Sequence, residues 1–527
     1  MNLWLSLNKA LTLFADRQAI VDSGKRFTYK EFGARVFSLC GSLLDLGLDR
    51  GSVVAVAAPN GHEYMELYFA CAITGIVLNP LNFRLAIAEI TAILNDAETK
   101  VLVVHTDFAA EVENILAGCP DIGEVIWLGQ GARPLIKVGS LEFEELATAG
   151  QGSMPVLPQL DSSDLAHLYY TSGTTGRPKG VMLTQGNVAT NALAAAMELR
   201  FSDADTWLHV APMFHLADAW AAFAITWVGG RHVFLPYFKT GEVLAAIEKE
   251  KVTATIFVPT MLHALLDDPE SQACDTSSLR LLITAGSPIA PESVRRVITT
   301  FGCEYVQLYG MTETSPFLTL SLPNSNQLKL PPEKQLEIRS RTGRPYIGAE
   351  VKVVRGDGRE VEHNDKEIGE IIARGPTIFA GYWKQPEITA QTVRDGWIYT
   401  GDLAVVDEEG SINIVDRKKD MIITGGENVY STEVEYTLHE HPGVAEVAVI
   451  GVPDEFWGEA VKALVVPRTG HTLIEKELID FVRERLAHYK VPKSIDFLRE
   501  LPKTGSGKIY KKGLREHFWS QQEKQVH

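Results

Sequence analysis

Residues 169–180 read YYTSGTTGRPKG, so small and hydroxylated residues stand between two aromatic residues and a lysine. Glycine allows close approach to the backbone, and Ser/Thr hydroxyls with successive N–H groups can surround phosphate oxygens. Lys179 would add a positive charge, although Gly180 directly after it does not fit the GxxxxGK[ST] phosphate loop. A flexible surface loop has the same composition. The stretch by itself leaves both interpretations open.

The segments beside this loop predict how it is positioned. LAHLYY before it predicts a strand, and TQGNVATNALAAAMEL after it predicts a helix with Thr184 as its N-cap. Elsewhere, short β-branched runs alternate with longer helical patterns, which is typical of parallel sheets covered by helices. Ligands bind at the carboxyl ends of strands in such folds. The runs are 52–58, 100–105, 253–259, 279–286 and 303–310.

The pattern changes beyond about residue 345, where closely spaced strands and turns predict a smaller antiparallel subdomain. After the charged DRKKD turn at 416–420 a compact α+β unit follows, in which Leu478, Val482 and Leu486 give one helix an apolar face. We therefore predict an N-terminal domain of residues 1–416 and a C-terminal domain of residues 417–527, with a hinge near 416–420.

Composition excludes several classes of protein. A chain of 527 residues with 45% hydrophobic and 22% charged residues is globular and long enough for more than one domain. The net charge of -17 argues against a nucleic-acid-binding protein, so a phosphate ligand must be held by a local arrangement. The five cysteines lack metal-like spacing, which indicates idle thiols in a reducing compartment.

The two ends of the chain carry no recognisable address. The apolar N-terminus lacks a basic start and a cleavage site, so it predicts a first helix and not a signal peptide. EKQVH at the C-terminus is neither a peroxisomal nor a retention signal. No run reaches the roughly 18 apolar residues of a spanning helix. A soluble cytoplasmic protein is expected, while peripheral membrane contact and a homodimer stay open.

Further stretches follow the loop in a fixed order: APMFH at 211–215, YGMTET at 309–314, YTGDL at 399–403, VDRKKDMIITGGEN at 415–428 and PKTGSGK at 502–508. Through this order and spacing the chain resembles, over essentially its whole length, the adenylate-forming superfamily of acyl-CoA synthetases, peptide-synthetase adenylation domains and firefly luciferase. The resemblance implies an α/β fold: a large N-terminal domain of two α/β subdomains plus a small β-barrel, and a mobile α+β C-terminal domain.

The resemblance also implies the reaction and its cofactors. A carboxylate joins the α-phosphate of ATP with loss of pyrophosphate, and coenzyme A then takes the acyl group as a thioester. The carboxylate is already the nucleophile, so the site must gather anions and stabilise developing charge, with no general base for this step. Glu313 and Thr171 match the residues that hold Mg²⁺, to which hard oxygen ligands are suited.

Each further role follows from a matching position. Tyr309 matches the ring that stacks on adenine, Asp402 the acid that takes the ribose hydroxyls, and Arg417 a second ribose contact. Lys508 matches the lysine that swings onto the substrate carboxylate and the α-phosphate, and Lys419 matches the hinge. The implied nucleotide and coenzyme A contacts are Thr171, Ser172, Gly173, Thr174, Thr175, Gly176, Lys179, Gly286, Ser287, Tyr309, Thr312, Asp402, Arg417, Lys419, Gly425, Gly426 and Lys508.

The coenzyme A side departs from part of the family. Gly425 and Gly426, in GGEN, match the loop beside the pantetheine tunnel, where glycine lets the arm pass close to the backbone. Plant coumarate ligases and luciferases carry lysines where this chain has Ile423 and Gly425, so their lysine contacts do not transfer. GGEN resembles fatty acyl-CoA synthetases instead.

The identity of the acid is the least determined part. His215 matches the gate between acyl pocket and α-phosphate, so the expected catalytic set is Lys508, Glu313, His215 and Thr171. The acyl-pocket positions are apolar, which favours an aliphatic or aromatic tail over a dicarboxylate or an amino acid. They are Ala217, Ala221, Leu308, Pro316 and Phe317.

Medium- to long-chain fatty acids are the first expectation, and a phenylpropanoid or benzoate-type acid is the second. Ala217 cannot bind the amino group of an amino acid, although Asp218 stands next to it. A catalytically idle protein that binds acyl chains or nucleotides is the alternative from another class. It is disfavoured because Thr171, Glu313, Asp402 and the other matched residues are all present.

Overall fold

The computed structural model describes residues 1–150, 155–172, 178–287, 289–454, 456–504 and 508–519. The predicted residues Gly173, Thr174, Thr175 and Gly176, together with the side chain of Ser172, lie outside the described part. The α-helices are α1 (Trp4–Leu13), α2 (Tyr29–Asp45), α3 (His62–Thr74), α4 (Ile87–Asp96), α5 (Ala109–Ala117), α6 (Phe143–Thr148), α7 (Gln185–Glu198), α8 (Leu216–Val228), α9 (Thr240–Glu250), α10 (Pro259–Asp267), α11 (Pro291–Phe301), α12 (Pro332–Ser340), α13 (Pro386–Thr392), α14 (Ser431–His439), α15 (Glu475–Arg483) and α16 (Lys511–Trp519).

Strands occur along the whole chain, and short 3-10 helices lie at 106–108, 269–272, 312–314, 327–329 and 488–490. The strands are β1 (Gln18–Asp22), β2 (Lys25–Thr28), β3 (Val53–Ala57), β4 (Val77–Pro80), β5 (Val101–His105), β6 (Glu124–Leu128), β7 (Gly139–Glu142), β8 (Leu165–Ser172), β9 (Pro178–Thr184), β10 (Thr206–His209), β11 (Arg231–Phe234), β12 (Ala254–Phe257), β13 (Leu281–Ala285), β14 (Glu304–Gly310), β15 (Phe317–Leu320), β16 (Arg344–Pro345), β17 (Glu350–Val354), β18 (Gly369–Arg374), β19 (Gly381–Tyr382), β20 (Val393–Arg394), β21 (Trp397–Val406), β22 (Ile412–Arg417), β23 (Ile422–Thr424), β24 (Glu427–Val429), β25 (Val444–Asp454), β26 (Gly458–Pro467) and β27 (Ser494–Phe497).

Two large sheets form the N-terminal region. The first has the strand order β16-β15-β14-β13-β12-β10-β11-β1-β2, and the second has the order β19-β9-β8-β4-β3-β5-β6-β7. The central strands are parallel. Antiparallel strands lie at both ends of the first sheet and at the β19-β9 end of the second, whereas β7 at the other end is parallel to β6. Every residue of β3 and of β13 is buried, as expected for β-branched runs covered on both faces. The alternation of strands and helices therefore predicted these two sheets correctly.

One continuous apolar core joins the two sheets. It contains residues of α2, α3, α7 and α8 together with side chains from both sheets. The helices α7 and α8 pack on each other, and α8 also packs on α1. Because α8 begins next to His215, this packing fixes where that histidine enters the site.

The loop at 169–180 is positioned differently from the prediction. The sequence predicts a strand, a loop and then a helix, whereas β9 intervenes and pairs antiparallel with β8. β8 and β9 are therefore consecutive antiparallel strands. Pro178 and Gly180 hide this strand in the sequence, because both residue types are unusual in strands. Thr184 caps α7 as predicted and accepts a hydrogen bond from the Asn187 N–H at 3.1 Å.

Two smaller sheets complete the fold. β17, β18, β20, β21 and β22 form an antiparallel sheet around its own apolar cluster, which confirms the predicted small β subdomain. β23 to β27 form the C-terminal sheet, with α14 and α15 packed on it. Leu478 and Val482 are fully buried on α15, whereas Leu486 lies beyond the end of the helix and is partly buried. Among the described helices, none has both the length and the apolar composition needed to cross a bilayer.

Candidate active site

Asp402 is held between a tyrosine and an arginine. Asp402 on β21 and Arg417 on β22 are direct neighbours across the antiparallel pair. The Tyr309 hydroxyl donates to Asp402 Oδ2 at 2.7 Å, and Arg417 Nε lies 3.3 Å from Asp402 Oδ1. Burial and the neighbouring carboxylate raise the pKa of Tyr309, so it stays a neutral donor. The three residues that the sequence predicts at the nucleoside therefore do lie together.

Glu313 occupies a second, adjacent position. Its Oε1 accepts a hydrogen bond from the Tyr382 hydroxyl at 2.9 Å, and Lys179 Nζ lies over the Tyr382 ring at 5.2 Å from the centroid. Burial raises the pKa of Glu313, while the Tyr382 hydrogen bond and the charges of Lys179 and Arg417 oppose this rise. Lys179 is the strand-pairing partner of Thr171. A buried carboxylate beside a lysine and a strand-end threonine suits a cation–phosphate pair.

Tyr382 was missed in the sequence. It belongs to the two-residue strand β19, which adds to the edge strand β9 from a distant part of the chain. The GYW segment carries no pattern that distinguishes a site tyrosine from a core tyrosine. Only the sheet pairing brings the Tyr382 hydroxyl to Glu313.

Lys508 reaches from the C-terminal domain to the strand end at Gly286. The Lys508 Cε lies 3.2 Å from the Cβ position that another residue would have at 286, and Gly286 has a φ of +94°. Burial lowers the pKa of Lys508 to about 8, with the Arg417 charge acting in the same direction and Asp402 and Glu313 against it. Lys508 therefore lies among the residues that the sequence predicts around the nucleotide.

His215 lies at the N-terminus of α8, near the charge of Lys508. Burial lowers the pKa of His215 to about 3, and the charges of Lys508 and Arg84 add to this effect. Its Nε2 is buried and has no hydrogen-bond partner among the described residues. A neutral imidazole with an unused ring nitrogen can donate to, or accept from, a ligand without bringing a net charge.

The turn that carries His215 is fixed by residues that the sequence analysis did not select. Asn60 Nδ2 donates to the Ala211 carbonyl at 3.0 Å, and Asn60 Oδ1 accepts from the Met213 N–H at 2.8 Å. The Tyr68 hydroxyl donates to the Met213 carbonyl at 2.7 Å and lies 2.7 Å from the Tyr169 hydroxyl. Asn60 follows the carboxyl end of β3, and this position was the one available signal.

The remaining predicted residues lie at separate places. Gly425 and Gly426 form the turn between β23 and β24, where the Gly425 N–H donates to the Trp457 carbonyl at 2.8 Å. The Trp457 ring also lies 2.5 Å from the Cβ position at Gly425, so a larger residue would not fit without a shift. The Lys419 carbonyl accepts from Arg515 at 2.7 Å. These contacts all lie within the predicted C-terminal domain.

Two predicted residues, Ser287 and Thr312, lie beside the site because they are next in sequence to residues of the site. Ser287 follows Gly286 at the carboxyl end of β13, and Thr312 begins the 3-10 turn that carries Glu313. β9, which carries Lys179, lies against this turn. The predicted phosphate, metal and nucleoside residues in the described part thus converge on one edge of the two large sheets.

Comparisons with known proteins show the family of the chain. The AMP-binding enzyme family matches residues 7–383, and the AMP-binding enzyme C-terminal domain matches residues 433–508. A feruloyl-CoA synthase from Amycolatopsis sp is 40% identical over 95% of this chain and 96% of its own length. An indoleacetate–CoA ligase from Aromatoleum aromaticum is 36% identical over 96% and 98%.

A solved structure is also similar over nearly the whole chain. An anthranilate CoA ligase in complex with anthranoyl-AMP superposes with a TM-score of 0.89 and 27% identity, covering 98% of this chain and 97% of that one. The chain therefore belongs to the AMP-binding enzyme family, and its fold is that of the adenylate-forming enzymes. By class it is an AMP-forming acyl-CoA ligase.

We expect Asn60→Ala to impair catalysis while leaving ATP binding in place. The substitution removes two buried hydrogen bonds that hold the turn ahead of His215, and small errors in the placement of reacting groups are costly. Ligase kcat should fall about tenfold or more, while KM for ATP changes by less than about twofold.

Asn95→Ala is the matched control, because Asn95 also donates from Nδ2 to a carbonyl, that of Gly118 at 2.8 Å, on an exposed surface. The control should keep the kcat of the parent protein. An unchanged kcat in Asn60→Ala would show that the turn is held without Asn60.

Proposed function

We propose that the protein is an ATP-dependent aryl acid–CoA ligase that acts on phenylpropanoid or benzoate-type acids. The observation that carries this choice is a cluster of aromatic side chains formed by Trp220 of α8 with Phe317 and Trp207, which we call the aromatic wall. Trp220 packs edge-on against Phe317, with 5.2 Å between ring centroids, and against Trp207 at 5.1 Å. The feruloyl and indoleacetate relatives support the aryl alternative better than the fatty-acid expectation.

The wall limits the depth of the expected acyl pocket. Ala217, Trp220 and Ala221 stand three and four residues apart on α8, so they share one face of the helix. A substrate that passes Ala217 and Ala221 meets the indole of Trp220 and the ring of Phe317. A flat aromatic ring packs well against the aromatic side chains of Trp220 and Phe317. A long aliphatic chain would need a pocket that continues beyond these two side chains.

Asp218 is not available to bind an amino group. It is fully buried, and its two oxygens are used by the Trp207 indole N–H at 2.9 Å and by His209 Nδ1 at 2.7 Å. This arrangement removes the aspartate that stood next to Ala217 in the sequence. An amino acid would find no carboxylate partner there, which supports an uncharged acyl tail.

The adenylation step uses the buried charges of the site. A substrate carboxylate oxygen attacks the α-phosphorus of ATP, and the bond from this phosphorus to pyrophosphate breaks. Lys508 donates to the two anions as they approach, and its compact ammonium group suits this position between them. Asp402 and Arg417 would hold the ribose, with Tyr309 on the adenine. Thr171 and Lys179 would hold the phosphates.

Glu313 fits a magnesium site. Its carboxylate is buried and carries a raised pKa, so a hard divalent cation would compensate a charge that burial disfavours. When bound, Mg²⁺ neutralises the charge that the triphosphate develops during the reaction. Tyr382 would orient the Glu313 carboxylate through its hydrogen bond, and the Thr171 hydroxyl would supply a further oxygen ligand.

The thioester step requires Lys508 to leave. The C-terminal domain would rotate near residues 416–420, where Lys419 lies, and would bring Gly425 and Gly426 to the pantetheine arm. The thiol of coenzyme A then gives up its proton to solvent, its sulfur forms a bond to the acyl carbon, and AMP departs with the electrons of the acyl–oxygen bond. The placement of Lys508 beside Gly286 corresponds to the first of these two steps.

The experiment that tests this function is a panel of acids assayed for coenzyme A-dependent AMP release with ATP and Mg²⁺. The panel holds ferulate, benzoate, indoleacetate, octanoate, palmitate, acetate and malonate. We expect kcat/KM for the best aryl acid to exceed that for octanoate by at least about tenfold, since a closed pocket discriminates by a few kcal/mol. Preference for octanoate or palmitate would contradict the aryl assignment, and no turnover with any acid would favour the idle binding protein.

Trp220→Ala examines the same proposal from within the pocket. Removal of the indole should raise kcat/KM for octanoate relative to ferulate by about tenfold, because the wall behind Ala217 opens. Trp227→Ala, on the same helix, is the control, and it should keep the ratio of the parent protein. Equal ratios in both variants would place the specificity determinant elsewhere.

The pKa of Lys508 predicts the pH dependence of adenylation. A pKa lowered to about 8 means that the ammonium is present below pH 8 and is lost as the pH rises through that value. Because kcat/KM reports the free enzyme, kcat/KM for ATP in ATP–pyrophosphate exchange should fall above about pH 8.

Lys508→Arg supplies the comparison. Its guanidinium group stays charged, so its activity, although lower, should not decline between pH 8 and 9.5. A wild-type profile that stays flat to pH 10 would contradict the assignment of the decline to Lys508.

A further inference from the structure

A cavity of about 260 Å³ lies on the other side of the second large sheet from α3 and α8. We call it the outer cavity. It is bounded by the ends of β3 and β5 and by the helices α4 and α5. Most of its wall is apolar, and its lining includes Ala57, Phe83, Ile90, Leu102, Glu111 and Ile115.

The size of the outer cavity indicates what it can hold. A dry apolar cavity of about 150 Å³ accommodates benzene in another protein. A volume of about 260 Å³ therefore suits a molecule with two fused aromatic rings. Leu102, Ile90 and Ile115 are buried apolar side chains and offer such a molecule close contacts on three sides.

The charge at the outer cavity selects among such molecules. Glu111 is the only ionisable residue that lines it within the described part of the chain, and it is exposed together with Ala86 at the rim. Glu111 and Ile115 stand four residues apart on α5, so the carboxylate and the apolar wall share one face of the helix. A ligand carboxylate would meet like charge there. The Arg84 guanidinium lies over the Phe83 ring, 5.6 Å from its centroid, and is not among the described residues that line the cavity.

Phe83 separates the outer cavity from the active site. Its ring packs against Phe108 at 4.4 Å and against Phe214 at 5.0 Å, and the Phe214 ring lies 4.7 Å from that of His215. A molecule in the outer cavity is thus separated from His215 by Phe83 and Phe214. The outer cavity is not part of the acyl pocket described on α8.

We infer that the outer cavity is a second small-molecule site, which takes one uncharged or cationic bicyclic aromatic molecule and disfavours aryl carboxylates. This inference does not depend on which acid is the substrate, and its test uses the proposed function only to fill the acyl site with the acid that the activity panel identifies. It assigns to the same chain a site with the opposite charge preference, since the active site gathers anions and the outer cavity presents a carboxylate.

The test uses 1-aminonaphthalene, which is neutral at pH 8, as a fluorescent probe, with 1-naphthoate as the carboxylate of matched shape. Both titrations use the whole protein with the acyl site saturated by its aryl acid and by AMP. Saturable binding of the amine, with at least about threefold weaker binding of 1-naphthoate, is the expected result. Absence of saturable amine binding would overturn the inference.

Variants then locate the bound amine. Ile115→Trp fills the outer cavity from α5 and should weaken amine binding about tenfold or more. Leu116→Trp makes the same change at the neighbouring position, which does not line the cavity, and should leave amine affinity unchanged. Equal affinity in Ile115→Trp and in the parent protein would place the amine elsewhere and contradict the inference.

Two further variants serve as a replacement for Ile115→Trp and as a test of the charge preference. Ile90→Phe fills the outer cavity from α4 and replaces Ile115→Trp if that variant lowers the thermal midpoint or the ligase activity. Glu111→Gln removes the carboxylate and should bring 1-naphthoate binding to within about twofold of amine binding. A preference for the amine that persists in Glu111→Gln would overturn the charge argument.

Discussion

The partly buried ammonium of Lys508 brings the C-terminal domain into the site that the preceding domain forms. Lys508 comes from the C-terminal domain and lies half-buried near Arg417, Asp402 and Glu313. Loss of water and the Arg417 charge lower its pKa to about 8, against the effect of the two carboxylates. A buried charge is tolerated only with partners of opposite sign, and both carboxylates belong to the preceding domain. The same arrangement favours anions in the site. Asp402 and Glu313 balance only part of the positive charge of Lys508 and Arg417, and the anionic groups of ATP and of a carboxylate would balance the rest. The polarity of the site therefore depends on the position of this one cation.

The rest of the fold serves to bring those groups together. Glycine at position 286 leaves room for the lysine side chain, and strand pairing sets Asp402 opposite Arg417. The antiparallel pair of β8 and β9 carries Thr171 and Lys179 to the same edge, and β19 adds Tyr382 from a distant segment. The contacts of Lys508 with Gly286 and of Tyr382 with Glu313 join segments that are far apart in sequence. The shared apolar core of the two large sheets is what makes their spacing fixed.

Much of the architecture could be predicted because it depends on periodicity and caps. The buried runs of β3 and β13 and the Thr184 cap are local patterns, and the structure contains them. The strand β9 was missed because Pro178 and Gly180 obscure its pattern. The separate domain limits of 1–416 and 417–527 stay a prediction.

The site was predicted from matched motifs, and the use of motifs also explains which residues the prediction missed. Motif matching selects residues that contact ligands, so Asp402, Arg417, Glu313 and Lys508 were found and lie together. It does not select residues that position those groups, such as Asn60 and Tyr382. In the sequence these two residues look like any other polar residue near a strand. The acid was the weakest prediction, because the wall of Trp220 and Phe317 depends on packing between α8 and β15. A list of apolar positions does not reveal whether a pocket is deep or closed.

The central claim is that Lys508 serves adenylation and not thioester formation, and it is tested most directly by separating the two partial reactions. In Lys508→Ala, ATP–pyrophosphate exchange with an aryl acid should fall at least about 100-fold, while thioester formation from the synthetic aryl adenylate and coenzyme A stays within about fivefold. Lys503→Ala, which breaks an ion pair with Glu446 in the same segment, should alter neither rate. Equal loss of both partial reactions in Lys508→Ala, or unchanged exchange, would contradict the account.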